Sequence, residues 1–349
     1  MEKTEMTSYD RVMTALQGGQ ADRVPVVPIV REWCVRQVGF RFCDILESVE
    51  KYVYAQYFCV RHFGYDAVWD LLAIHAESEA MGSVLKVPED MSPSVLEHVV
   101  KDYDKDMGKL RIPDPQKDGR LPFILEGIRQ LKNLCKGQYA VVGFIQAPFR
   151  HASMLRGSDM VMRDVFKTPA KLKELLEIAT ESLIVYGQAV AEAGADIICM
   201  SDPSSSGDAV SRKVWEEFGH PYSSRVVHEV KKTGVKMFMH ICGDTTDRLD
   251  SLASTGVDGL SLDKKVDFAE ARKVLGDSVC LIGNVDPAGT LFLGKAEEVV
   301  KEATYAIHSA GQHGNFILSS GCMMPAEVPP ENMQAMVDTA KTVGKYPLS

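Results

Sequence analysis

No uninterrupted apolar run long enough to cross a bilayer, about 18 residues, occurs in the sequence, so no membrane-spanning helix is expected. The first residues, MEKTEMTSYDRV, are charged and lack the apolar core of a signal peptide, and a cytoplasmic location is expected. Basic residues are in deficit. The 39 Lys and Arg against 48 Asp and Glu leave a net charge of −9 at pH 7, which argues against nucleic acid or an anionic membrane surface as partner. Closely spaced cysteines are missing too. The eight present, at 34, 43, 59, 135, 199, 242, 280 and 322, are spread along the chain, which excludes a disulfide scaffold and predicts free thiols. No Gly-x-Gly-x-x-Gly follows the first apolar run, which weakens a dinucleotide-binding reading. Nor is there a low-complexity linker, and the chain is read as one domain over residues 1–349.

What is there is rhythm. Short apolar runs recur at VPVVPIV (24–30), AVWDLLAI (67–74), AVVGFIQAP (140–148), DIICMSDP (196–203), KMFMHIC (236–242), GLSLD (259–263), CLIGNVD (280–286) and FILSSGC (316–322). Several are nearly continuous in apolar residues, as parallel strands covered on both faces must be. Amphipathic stretches at 169–194, 212–234 and 296–311 each end in Gly, where a helix C-terminus places it. Strands alternating with helices predict an α/β fold, a (β/α)8 barrel. An N-terminal helical extension precedes it, and the charged, Pro-rich segment 75–125 reads as an elaborated loop after the second strand. With 45% hydrophobic residues the core is ample. Sixteen methionines and eight cysteines make an oxidation-sensitive chain that suits an anaerobe.

The chemistry concentrates in MFMHICGD. Residues i and i+2 of a strand share a face, so His240 and Cys242 converge on the barrel mouth if that face is inward. Active sites of such barrels lie at the C-terminal strand ends, and Cys322 ends the last run. One imidazole and two thiolates suit zinc, and three protein ligands leave the open position of a catalytic site. Taken from spacing alone, a small buried thiol and a satisfied core histidine remain the commoner explanation. For Cys34, Cys43, Cys59, Cys135, Cys199 and Cys280 the packing reading is kept.

Several segments resemble the uroporphyrinogen-decarboxylase-like superfamily: MTSYDRVMTALQGGQADRVPVVP at the start, and AGADIICMSDPSSSGDAVSRKVWEEFGHPYSSRVVHEVKKTG, HICGDTTDRLDSLASTGVDGLSLD and GNVDPAGTLFLG later. The Arg-Gln-Ala-Gly-Arg motif that the decarboxylases use for a porphyrinogen is here Arg36-Gln37-Val38-Gly39-Phe40, without the second arginine. His240, Cys242 and Cys322 match the His-x-Cys…Cys zinc motif of the other branch, the corrinoid-dependent methyltransferases.

That resemblance implies zinc as cofactor and, as partner, a separate protein carrying a corrinoid (cobalamin). It implies transfer of a methyl group between the corrinoid and a small molecule at zinc. The small molecule is a thiol acceptor such as coenzyme M or a methyl-ether donor; the alternative is a tetrapyrrole decarboxylase. Homo-oligomerisation stays open. Gln146, Asp202, Asn284 and Asp263 are expected substrate contacts, Asp263 also as a fourth zinc ligand at rest or only a turn residue. Asn284 and Asp286 are read equally as loop-fixing residues. Asp70 is read as a polar group at the mouth, and Arg150, His75 and His151 as ordinary surface residues or as corrinoid or substrate contacts.

Overall fold

The computed structural model describes residues 5–70, 72, 74–89 and 92–348. Seven parallel strands form one curled sheet in the order β1 (Ala67–Trp69), β4 (Ala140–Gln146), β5 (Ile197–Ser201), β6 (Lys236–Ile241), β7 (Gly259–Leu262), β8 (Cys280–Val285), β9 (Phe316–Ser320). The remaining strands, β2 (Val84–Lys86) and β3 (Ser94–Glu97), pair antiparallel in the segment expected to be an elaborated loop. Five of the apolar runs become strands of four to seven residues whose every member except Lys236 and Asn284 is buried, and β9 is buried throughout. Helices on both flanks exclude water from such strands, which is why continuous apolar runs are tolerated there.

Two expected strands differ. Run 24–30 is extended but not a regular strand, because Pro25 and Pro28 have no N–H to give to a ladder. It still closes the barrel as an eighth stave. Val27 N–H donates to the Leu318 carbonyl and Leu318 N–H to that of Pro25, both at 2.9 Å, while Asp66 N–H reaches the Val26 carbonyl at 2.8 Å. Run 67–74 stops as a strand after Trp69 and turns into the helix Ala76–Ala80; its residues 71 and 73 lie outside the described residues.

The expected helices at 169–194 and 296–311 appear as Pro169–Glu192 and Ala296–Ala310. The one at 212–234 is interrupted by a wide turn over Trp215–Gly219 before His220–Lys231. There the Trp215 ring lies so close over Gly219 that no side chain fits at that glycine. The Trp215 indole donates to Ser251 Oγ at 2.9 Å, which ties the irregular turn to the next helix. The N-terminal extension is the helix Ser8–Leu16, started by Thr7 accepting from Asp10 N–H, and helices Glu32–Gln37, Phe42–Glu47 and Val49–Phe63 follow the closing stave. Among the described residues no helix is long and apolar enough to cross a membrane.

The closing seam carries a buried charge. Asp66 accepts from Ser8 Oγ at 2.7 Å, Arg11 Nη1 at 2.9 Å, both Arg23 nitrogens at 2.9 Å and Val26 N–H at 2.7 Å. Its side chain is fully buried and that of Arg11 is 4% exposed, so removing the carboxylate leaves Arg23 and the buried Val26 N–H without this acceptor and Arg11 with Asp22 as its one remaining carboxylate among the described residues. Asp66→Ala is expected to lower unfolding free energy by roughly 3–5 kcal/mol, read as a shifted urea midpoint; a shift worth under about 0.5 kcal/mol would show that the seam does not depend on this residue.

Candidate metal centre

The strand period decides what faces the barrel axis. Trp69 of β1, Phe144 and Gln146 of β4, Cys199 and Ser201 of β5, and His240 with Cys242 just beyond β6, all at alternating positions, line one cavity of ≈ 150 Å³ at the C-terminal ends of the strands. Cys322 and Met323, which follow β9, complete that rim together with Ile29 of the closing stave.

Three of these side chains meet. His240 Nε2 is 3.1 Å from Cys242 Sγ, and Cys242 Sγ is 3.0 Å from Cys322 Sγ. All three donor atoms lie within 4.8 Å of one another, the one such group of metal-ligating residues among the described residues. The imidazole is aimed by its neighbour strand: Ser261 of β7 stands in register with His240, and its Oγ lies 3.0 Å from Nδ1. That contact fixes the ring with Nε2 toward the sulfurs, as a residue behind a metal-binding histidine does.

Two glycines let the ends of these strands turn. Gly243, at φ +90°, has no room for a side chain against Ser206 and Asp208, and its N–H donates to Asp263 Oδ2 at 2.9 Å. A Cβ on Gly321 would meet the Lys264 backbone nitrogen at 2.8 Å. The Gly-Asp break after Cys242 and the Ser-Ser-Gly-Cys turn are thereby accounted for.

The donor set fits a tetrahedral metal ion. Zinc with bonds of about 2.0–2.3 Å would hold its ligand atoms about 3.5–3.8 Å apart, so the 3.1 and 3.0 Å contacts would have to widen by roughly half to three quarters of an ångström. The 3.0 Å contact with Cys242, and then His240, push the Cys322 thiol below its ordinary value, while the contact with Cys322 and burial push the Cys242 thiol up; a soft metal ion would require both as thiolates.

The other expected residues divide. Gln146 lines the cavity, its amide donating to the Ile74 carbonyl and its backbone N–H to Glu77 Oε1 at 3.1 Å. Asp202 is buried beside the cavity. It accepts from Ser205 Oγ at 2.6 Å, its Oδ1 has no partner, and burial pushes its carboxyl up to about 7. Asp263 is not brought into the donor group; its oxygens accept from Gly243 and Lys265 N–H, which suits the turn reading. The Asn284 amide donates to the Asp263 and Val266 carbonyls, and Asp286 accepts from Ala288 and Gly289 N–H, so both fix loops.

Three expectations are corrected. Asp70 is not at the mouth: it is fully buried, is not among the cavity-lining residues, and among the described residues neither oxygen has a partner within hydrogen-bond geometry. His151 is a core residue rather than a surface one, fully buried with Nε2 3.2 Å from Met81 Sδ, and burial pushes it down to about 3. Arg150 lines the cavity instead of the surface. His75 is half-buried near Arg150, and burial, then Arg150, hold it down to about 4. Cys199, assigned to packing, is a cavity wall two residues from Ser201, and that parity was the available signal.

The class these features define is a parallel α/β barrel with a His-x-Cys…Cys group of side chains at its C-terminal rim that could hold a metal ion. The chain belongs to the uroporphyrinogen decarboxylase (URO-D) family, whose model matches residues 7–343. It is 31% identical to the methylcobamide:CoM methyltransferase MtbA of Methanosarcina acetivorans, over 97% of this chain and 98% of that protein. It is also 30% identical to a uroporphyrinogen decarboxylase of Anaeromyxobacter dehalogenans, over 96% and 99%. Among solved structures, a methyltransferase from Methanosarcina mazei superposes with a TM-score of 0.89 at 27% identity, covering 97% of this chain and 99% of that one.

The buried carboxyls give a pH signature. Burial raises Asp70 to about 8 and Glu77 to about 7, against an ordinary carboxyl near 4. The neutral folded form is stabilised, so this contribution is complete below about pH 4 and declines as pH rises toward 8. Asp70→Asn should flatten the pH dependence of unfolding free energy between pH 4 and 8 and stabilise the protein at pH 8, on the order of a few kcal/mol. Identical slopes for the two proteins in urea titrations would refute the assignment.

Proposed function

We propose that this chain is a zinc-dependent methyltransferase, moving a methyl group between a corrinoid carried by a partner protein and a small molecule at the metal. One observation carries the reading: a His240–Cys242–Cys322 donor group set into a mostly apolar cavity of ≈ 150 Å³. Zinc, when bound there, supplies a Lewis acid that keeps a substrate sulfur deprotonated at neutral pH. Ser261 orients the imidazole, and Trp69, Ile74, Phe144 and Pro203 exclude water from the reacting pair. The small molecule is a thiol acceptor such as coenzyme M, the acceptor in the name of the archaeal relatives, or a methyl-ether donor. Gln146 is positioned to contact it.

The decarboxylase alternative meets three obstacles. A porphyrinogen is larger than the cavity, since even drug-sized ligands occupy roughly 300–1,000 Å³. Its acetate groups need several cations, yet among the described residues lining the cavity Arg150 is the only lysine or arginine. Arg36, which begins the altered motif, is half-exposed and ion-paired with Glu327 at 3.0 Å. Asp70 adds to this, being buried outside the cavity lining.

Purified protein is expected to hold about one zinc per chain and to demethylate methylcobalamin with a thiol. His240→Ala and Cys322→Ala should lose the metal and more than the roughly 10–100-fold in activity that loss of a residue behind a ligand costs. Full activity in metal-free protein, or chelator-insensitive porphyrinogen decarboxylation, would end the reading.

A further inference from the structure

We propose that Cys242 and Cys322 form an oxidative modification site, which a peroxide closes into a disulfide and a small thiol reopens. The inference goes beyond the transfer reaction and stands whichever reaction the cavity serves. The two sulfurs are 3.0 Å apart, against about 2.05 Å in a disulfide and about 3.8 Å across a tetrahedral zinc ion. Closing by about 1 Å makes the covalent bond, and opening by somewhat less admits the ion. A sulfur bonded to the other sulfur has lost the thiolate charge that a metal ligand needs. Disulfide and bound metal therefore exclude one another.

The rest of the chain makes the pair selective. Cys34, Cys59, Cys135, Cys199 and Cys280 are at most 2% exposed, beyond easy reach of a dissolved oxidant. Cys59 Sγ lies 3.7 Å from the Cys34 carbonyl, so these two also adjoin, but neither is exposed at all. Cys43 is half-buried on the helix Phe42–Glu47, and its sulfur contacts no second cysteine among the described residues. Cys242 and Cys322 combine partial exposure with a neighbouring sulfur, and both line the cavity. Its ≈ 150 Å³ is several times the roughly 10–15 Å³ that admits a water, so hydrogen peroxide fits. One sulfur attacks the peroxide, the O–O bond breaks, and a sulfenic acid forms while the thiol proton leaves in a molecule of water. The second sulfur displaces the sulfenic oxygen, which departs with the second proton as water, and the S–S bond closes. Two thiols give up two electrons, and one hydrogen peroxide becomes two waters. Two molecules of an added thiol reverse the change and leave joined as their own disulfide.

The test reads the cross-link and not turnover. Zinc-loaded protein is titrated with hydrogen peroxide while free thiols are counted with a colorimetric reagent and released zinc with a metal-sensitive dye. Two of the eight thiols should disappear in step with the zinc. Mass spectrometry should then find the peptides bearing Cys242 and Cys322 joined, with the loss of two hydrogens. Dithiothreitol should restore both thiols and zinc binding. Cys199→Ser, which removes another sulfur of the cavity wall, should leave the cross-link unchanged. Cys322→Ser should form none, its Cys242 reacting with a sulfenic-acid probe instead. Zinc lost while all eight thiols persist, a link between Cys34 and Cys59, or sulfinic acids without any link overturns the site. Protein that holds no zinc ends the methyltransferase reading, while the thiol count and the joined peptides still decide this one.

Discussion

Cys242 and Cys322 follow strands that have two others between them, and only curvature brings their sulfurs within 3.0 Å. In a flat sheet three strand spacings would hold them about 14 Å apart. The donor group is therefore a consequence of barrel closure, and closure here is not made by a regular ladder. It depends on a proline-bearing stave joined to β9 by bonds at Val27 and Leu318, and on Asp66 gathering Arg11, Arg23 and the Val26 N–H at the seam. A carboxylate far in sequence from the donor residues, at the opposite end of β1 from the cavity, thus conditions the geometry of the donor group.

Much of this was legible because two periodicities do the positioning. Continuous apolar runs marked β4 to β9, and the period of two put His240 and Cys242 on one face before any coordinates did. Asp70 was read at the mouth from the resemblance, not from this rule. It neighbours the cavity-lining Trp69 and is not itself among the lining residues. Asp263 was expected as a zinc ligand at rest or a turn residue, and Asn284 as a substrate contact or a loop residue; the hydrogen bonds seen are those of the loop roles. Asp and Asn at strand ends also satisfy loop backbone, and here Gly243, Lys265 and two carbonyls claim their polar atoms. Arg150 was undervalued because exposure cannot be read from an arginine in the first turn of a helix. Only the barrel shows that this turn overhangs the mouth.

Charge placement sets the cavity apart from its surroundings. The nearby carboxyls are not among the described residues that line it: Asp70, Glu77 and Asp202 are buried, and Asp263 accepts from the loop N–H of Gly243. What remains facing inward is soft or apolar, apart from Gln146, Ser201 and one guanidinium. Such a lining has a low effective dielectric, so each charge in it acts at greater strength than at a surface. A thiolate held at the donor group would be stabilised locally and shielded from water.

The near-equal identity to a methyltransferase and to a decarboxylase follows from this division of labour. Identity spread over the whole chain mostly counts barrel packing, which both chemistries need in the same form. Reaction type resides in a few strand-end side chains whose replacement leaves the core untouched. A porphyrinogen site needs room and several cations. A methyl-transfer site needs soft donors, a small dry cavity and space above it for the corrinoid face. The chain has one arginine in that cavity, three soft donors within 4.8 Å of one another, and its candidate catalytic carboxylate outside the cavity lining. These few side chains favour methyl transfer even though the fold as a whole is compatible with either.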